Sequence, residues 1–289
     1  MTHVVVTGGS GKLGQPCLTE LVEHGYQVTN VDLAPPPDSS VPFLKADLTD
    51  MGQALEALHQ IDDRYDGVDA VVHLGAVPAP GLVPNAELFR NNAISTYNVF
   101  AAARHFGVRN VVWASSETVL GLPFDTPPPY VPVDEEYPPR PESSYSLSKT
   151  VSEEMARQFC RWEPEMKIIG LRFSNVMLVS DYAEFPGFDA DPARRKWNLW
   201  AYIDARDGAQ AVRKALEAPL TGADVFIIAS PDTVVTRPVT ELVAEFYPGV
   251  PWKREVGPHD TLLSIEKARR VLGYDPTYSW RSEVGAAGS

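Results

Sequence analysis

Tyr145 and Lys149 stand four residues apart in Tyr145-Ser146-Leu147-Ser148-Lys149. That spacing puts a phenol and an ammonium on one face of a helix. An ammonium beside a phenol stabilises phenolate and lowers its pKa. A phenol tuned in this way can take a proton from a substrate hydroxyl or return one to a carbonyl. One strand–helix unit earlier, Ser116 ends a short apolar run and can hydrogen-bond the same substrate oxygen. A second set of residues suits a pyrophosphate: Thr7-Gly8-Gly9-Ser10-Gly11-Lys12-Leu13-Gly14, between an apolar run and a helix. Glycines at 8, 11 and 14 allow a tight turn, close backbone approach to phosphate and close packing of helix on strand, and the helix start offers free N–H groups. Asp32 closes the next strand, where a carboxylate accepts hydrogen bonds from the adenosine ribose and repels a 2′-phosphate. No Arg or Lys occurs from Leu33 to Ser40. Together these features call for NAD rather than NADP; the plainer alternatives are a ligand-free glycine turn and a solvated loop acid.

The elements that must position these groups follow from periodicity. Val4-Val5-Val6-Thr7 reads as a buried strand, 12–25 as a helix closed by Gly25, and Gln27 to Leu33 as a second strand ended by prolines. A strand from Leu44 to Leu48 and a helix from Met51 to about Ile61, capped by Asp50, come next. The strand Asp69 to Leu74, a helix over 85–106 stopped by Gly107, the strand Val111 to Ala114, a helix from Ser143 to about Trp162 and the strand Ile168 to Arg172 complete the alternation. Strand–helix alternation over this length predicts a parallel, doubly wound α/β sheet. Residues 177–201 carry no clear period. A helix from Asp204 to Ala218, a strand near 225–229 and helices over Val239–Phe246 and Ser264–Leu272 follow, and Ser282 to Ser289 reads as a frayed tail. Leu122 to Ser143 holds eight prolines. It reads either as a rigid connector or, since it follows a strand's carboxyl end, as an active-site wall.

The 289 residues carry a formal net charge of −13, which supplies no basic stripe for a nucleic acid. No run of 18 apolar residues predicts a membrane span, and the N-terminus lacks the basic and small-residue flanks of a signal peptide. Cys17 and Cys160 alone make no disulfide framework, so a reducing cytoplasm is the expected compartment. None of CxxC, HExxH or a close His pair occurs, so no metal site is expected.

With these residues assembled, the chain resembles the short-chain dehydrogenase/reductase superfamily, in its extended, NAD-dependent epimerase/dehydratase form. The carriers are the glycine loop, Asp32, Ala46-Asp47-Leu48, His73-Leu74-Gly75-Ala76, Asn91-Asn92-Ala93-Ile94-Ser95-Thr96, Ala114-Ser115-Ser116, Tyr145 with Lys149, Leu171-Arg172-Phe173-Ser174-Asn175-Val176 and Ala268-Arg269-Arg270-Val271-Leu272-Gly273-Tyr274. The resemblance implies a Rossmann-type NAD-binding domain over 1–175. A small, mostly substrate-binding part would span 176–289, with its strand near 225–229 returning to the sheet. It implies Ser116, Tyr145 and Lys149 as the catalytic set. Cofactor contacts would come from Gly8, Gly9, Ser10, Gly11, Lys12, Leu13, Gly14, Asp32, Asp47, Leu48, Leu74, Gly75, Ala76, Asn92 and Ala114, with Tyr145, Lys149 and Ser174 beside the nicotinamide ribose and ring. Asn92 and Arg172 have structural hydrogen bonding as their alternative role. The resemblance also implies a homodimer paired through the helices near 85–106 and 143–162.

The residues just after Ser116 narrow the reaction. Sugar-nucleotide dehydratases of this type carry a carboxylate where this chain has Thr118, which disfavours that elimination. Glu117 is either a substrate contact or a solvent-exposed loop acid. The stretch from Asn175 to Asp204 is short for a nucleotide-sugar epimerase and is similar to uronate and related sugar dehydrogenases. Arg195, or equally Arg194, could clamp a carboxylate bidentately, or the basic run is simply solvated. The expected activity is hydride transfer between a sugar or sugar-acid hydroxyl and NAD, with Ser116, Glu117, Asn175 and Arg195 on the substrate. A nucleotide-sugar 4-epimerase with tightly bound NAD is the alternative, and a non-catalytic NAD-binding protein is a third class that the intact Ser116, Tyr145 and Lys149 disfavour.

Overall fold

The computed structural model describes residues 1–36, 40–59 and 67–287. Among them, seven strands form one parallel sheet: β1 (His3–Thr7), β2 (Gln27–Asp32), β3 (Phe43–Lys45), β4 (Ala70–His73), β5 (Asn110–Ser116), β6 (Lys167–Phe173) and β9 (Gly222–Ile228). Their order is β3-β2-β1-β4-β5-β6-β9. A minor pair, β7 (Val176–Met177) and β8 (Ile203–Asp204), lies outside it. The doubly wound parallel sheet expected from the alternation is thus the observed one, and the strand at the chain's C-terminal third does pair with β6.

The valine runs explain the layers. In a strand, neighbouring side chains point to opposite faces. Val4 and Val6 enter one core with Cys17, Leu18 and Leu21, while Val5 enters the other with Ala54, Leu58, Val99 and Phe100. A sheet buried on both faces therefore needs apolar residues at every strand position, and β1, β4 and β6 are buried throughout. On the first face lie α1 (Gly14–Glu23) and α6 (Ala205–Glu217). On the second lie α2 (Met51–His59), α3 (Asn85–His105) and α4 (Ser144–Trp162). α4 starts where the sequence predicts, because Ser143 and Ser146 form a reciprocal capping box.

Several expected boundaries shift. α1 begins at Gly14 rather than 12, since Gly11 to Leu13 still belong to the turn. The strand expected over Leu44 to Leu48 is instead Phe43–Lys45, and its ladder with β2 ends where the Ala46 nitrogen donates to the Asp32 carbonyl at 3.1 Å. The expected end of α2 near Ile61 lies outside the described residues. The aperiodic stretch contains 3₁₀ turns, α5 (Phe185–Ala190) and Pro192–Asn198. After β9 come α7 (Val239–Phe246) and α8 (Glu266–Leu272). The tail expected to fray is instead helical over Trp280–Ala287, as α9. Trp280 anchors its start, buried with its indole Nε1 donating to the Thr233 carbonyl at 2.8 Å. Among the described residues, no helix is long and apolar enough to cross a membrane.

Candidate active site

The strand order turns back between β1 and β4, and ligands of such sheets sit outside the carboxyl ends of the strands at that point. A crevice of about 970 Å³ opens there, at the upper end of the ~300–1,000 Å³ common for small-molecule sites. The glycine loop forms its floor. Gly8 has φ +71°, and a Cβ on it would stand 2.5 Å from the Gly75 nitrogen, so β1 and β4 could not close at this point with any other residue. Gly14 touches the same turn, where a Cβ would meet the Gly8 carbonyl oxygen at 2.2 Å. Leu13 precedes α1 without any side-chain cap, which leaves the helix start open to an anion. Gly8, Ser10, Gly11, Lys12, Leu13 and Gly14 all line the crevice. Gly9, expected among them, does not: it faces inward, and a Cβ there would strike the Asn30 amide oxygen at 2.3 Å.

Asp32 lines the outer end of the crevice, its carboxylate accepting from the Ser10 nitrogen at 3.0 Å and the Leu33 nitrogen at 2.7 Å. Asp47 and Leu48 form the opposite wall. Asn98, unremarked in the sequence, holds that wall by donating to the carbonyls of Leu48 and Thr49 at 2.9 and 3.1 Å. Leu74, Gly75, Ala76 and Ala114 also line the crevice. Asn92 does not. It is buried on α3, where it accepts from the Val77 nitrogen at 2.8 Å and donates to the Val77 carbonyl at 3.0 Å. Its place is structural, fixing the wall segment Val77 to Pro80.

At the inner end the three expected catalytic side chains meet. Ser116 Oγ accepts from the Thr118 nitrogen at 3.2 Å and the Thr118 hydroxyl at 3.0 Å. Its own proton is then free for Tyr145, with which it is hydrogen-bonded. Thr118 thus orients Ser116, a role that the sequence reading missed. Lys149 Nζ donates to the Ala114 carbonyl at 2.7 Å and stands 5.8 Å from the centre of the Tyr145 ring. The acidified phenol expected from the Tyr–Lys spacing is not what this structure shows. Burial pushes the Tyr145 phenol up to about 12, with the Ser116 hydrogen bond pulling the other way and Glu117 adding to the rise. The same burial brings Lys149 down to about 8. In the protein alone, desolvation decides where the phenol titrates.

The substrate end departs furthest from expectation. Glu117 is a buried acid rather than a loop acid in solvent, 2% exposed. It accepts from the Ser174 hydroxyl at 2.6 Å, from the Asn198 amide at 3.2 Å and from the Asn175 backbone, while burial pushes it up to about 7. Ser174 and Asn175 line the crevice as expected. Arg195 does not. It is buried, donating to the Asn175 side chain at 2.8 Å and the Ala201 carbonyl at 2.6 Å, and burial brings it down to about 10. The expected clamp on a substrate carboxylate is corrected accordingly: both terminal nitrogens of Arg195 already serve the protein. Arg194 is exposed and lies over the Phe188 ring at 5.0 Å. Trp197, not singled out from the sequence, lines the crevice in their place.

A profile of the NAD dependent epimerase/dehydratase family matches residues 4–191. The chain belongs to this family. Among curated relatives, a UDP-glucose 4-epimerase of Oryza sativa subsp. japonica is 32% identical over 189 residues, which is 60% of this chain and 44% of that protein. A uronate dehydrogenase of Pseudomonas syringae pv. tomato is 26% identical over 224 residues, 77% of this chain and 72% of the relative. The chain spans about half the length of the epimerase relatives it matches. The fold is shared with a short-chain dehydrogenase/reductase superfamily protein from Agrobacterium tumefaciens, solved with bound NAD: TM-score 0.74 and 23% identity, covering 99% of this chain and 95% of that one.

The nucleotide that gives the family its name fits this crevice. An uncapped helix start adjoins the glycine floor, and the Asp32 carboxylate, a group that accepts from ribose hydroxyls, lines the crevice. Of Leu33 to Ser40, residues 37–39 lie outside the described residues. Asp32→Ala should weaken NAD binding about tenfold or more, since a hydrogen bond to a charged group contributes roughly 1.5–3 kcal/mol. It should also narrow the preference over NADP. Titration of each nucleotide by tryptophan fluorescence reads both, and an unchanged NAD/NADP ratio would remove Asp32 from the ribose site.

Proposed function

We propose that this family member is an NAD-dependent oxidoreductase acting on a hydroxyl of a sugar or sugar acid. One observation carries the reading: a phenol, a serine hydroxyl and a lysine ammonium converge at the inner end of a crevice whose outer end is built for an adenine dinucleotide. Bound NAD supplies the hydride acceptor. Tyr145 Oη takes the proton of the substrate hydroxyl, and its deprotonated form is the base. Ser116, oriented by Thr118, donates to the same substrate oxygen and holds it against Tyr145. Lys149, anchored on the end of β5, keeps positive charge near the phenolate that forms. From residues 176–289, Val176 and Trp197 line the crevice, and the rest of its wall comes from the dinucleotide-binding part. NADH release at 340 nm across a panel of sugars tests the reading, with the protein inert to all of them as the result against it.

The likeness to UDP-glucose 4-epimerases supports a second reading, in which the same residues move the same proton but NAD stays bound and the sugar is returned inverted. Conversion of a nucleotide sugar without net NADH would establish it. We further propose that the protein works in the cytoplasm as a homodimer. Both cysteines are free thiols and buried. α3 and α4 pack side by side and expose Ile94, Tyr97, Leu147 and Trp162, an apolar set that a partner copy would cover. Sedimentation at micromolar concentration should show a two-chain species, and a single-chain mass would refute the pairing.

A further inference from the structure

The charges around the substrate end indicate which sugars the crevice can take. Among the described residues, the cationic side chains that line it are Lys12 and Lys149. Lys12 lies on the glycine loop, paired with Asp181 at 2.6 Å. Lys149 is the buried lysine behind Tyr145. Glu117 and Glu142 also line the crevice, and Glu142 is paired with Arg140 at 2.7 Å. Glu117 is fixed by Ser174, Asn175 and Asn198. Arg195 in turn spends its terminal nitrogens on Asn175 and Ala201, with Trp197 stacked 5.2 Å from its guanidinium. A carboxylate or pyrophosphate on the substrate would find an arginine whose terminal nitrogens are already taken and the Glu117 carboxyl group in front of it. A sugar without charge would find hydroxyl and amide partners in Ser116 and Asn175, and the Trp197 ring for its C–H face.

We infer that the substrate is a neutral sugar, and that Glu117, the buried carboxyl group that lines the crevice beside Ser116, is the residue that selects it over the corresponding uronate or nucleotide sugar. This rests on the dehydrogenase reading above and narrows it. Asn175 links the two halves of the device. Its side chain accepts from Arg195 and its backbone donates to Glu117, so the residue that lines the crevice is held in one orientation by the pair behind it.

The test uses matched pairs on the full chain with NAD⁺: galactose with galacturonate, glucose with glucuronate, and UDP-galactose beside them. Each is read by NADH release and by calorimetric binding to the NADH-loaded protein. The neutral member should exceed its acid by at least tenfold in kcat/KM, or in affinity where turnover is slow. In Glu117→Gln, which keeps the size of the side chain and removes its charge, that ratio should fall at least tenfold. Nucleotide binding to the variant reports that it is folded. A uronate faster than its neutral partner, with NADH released, overturns the inference while leaving the dehydrogenase reading intact. Interconversion of UDP-galactose without NADH overturns both. Silence of every sugar in both measurements also overturns both. A neutral preference that Glu117→Gln does not move overturns the role given to Glu117.

Discussion

Tyr145→Phe should reduce turnover by about 10²–10⁴-fold, the usual contribution of a positioned general base, while NAD affinity stays within about threefold. The change removes one oxygen from a buried ring and leaves the ring's packing in place. The oxygen that goes is the one bonded to Ser116. In the protein alone this phenol is held up at about 12 by burial, so at neutral pH it keeps its proton. Oxidation of an alcohol needs the deprotonated form, so the rate should climb as pH rises through the working pKa of the complex. A cationic nicotinamide ring in the crevice stabilises phenolate and brings that pKa down from the value set by burial. The alkaline limb should therefore appear well below 12 in wild type and vanish in the phenylalanine variant. Initial rates of NADH formation between pH 6 and about 10, the span over which a phenol so shifted titrates, would show it. A variant with full activity and the same pH profile would remove Tyr145 from the proton path.

The parts of this molecule that were legible in the sequence are those in which local chemistry decides the outcome. Val4-Val5-Val6 can only be a strand buried on both faces, and Ser143 with Ser146 closes a capping box that starts α4 at the right residue. The glycine loop and Asp32 could be read because a tight turn and a ribose each impose residue types at fixed places. Where interpretation failed, the deciding partner is distant in the chain. Arg195 in its loop has the chemistry to clamp an acid, but the sequence does not show where its guanidinium points, and in the fold Asn175 and the Ala201 carbonyl take its terminal nitrogens. Asn92 looked like a cofactor contact, but its amide serves Val77, one loop earlier. Spacing puts Lys149 beside Tyr145 and cannot reveal how far burial raises the phenol. The helix at the C-terminus was missed because its eight residues carry little pattern; the anchor is Trp280 bonded to Thr233, a tertiary contact.

The carboxyl ends of β5 and β6 carry the site, and a single buried ion pair ties them to α4. Arg172 on β6 donates to Glu153 on α4 from Nε at 2.9 Å and from Nη2 at 2.8 Å, and Ser115 on β5 donates to the same carboxylate at 2.8 Å. Both charged side chains are almost wholly buried, 3% and 0% exposed. Removing one charge of such a pair strands the other without water, at a cost of about 3–5 kcal/mol. Arg172→Met and Glu153→Leu should each lose about that much stability, seen as a lower urea midpoint at unchanged slope. The double variant should recover much of the loss, because an apolar pair of similar volume needs no solvation. The consequence for activity separates anchoring from mere stability. Ser115 adjoins Ser116, and Arg172 precedes Phe173, Ser174 and Asn175, so loosening the pair frees both strand ends that hold the substrate oxygen and the Glu117 carboxylate. At a temperature where the single variants are still folded, KM should therefore rise more than kcat falls, and the double variant should regain stability without regaining KM. Single variants with an unchanged urea midpoint would show that β5, β6 and α4 are held together by apolar packing alone.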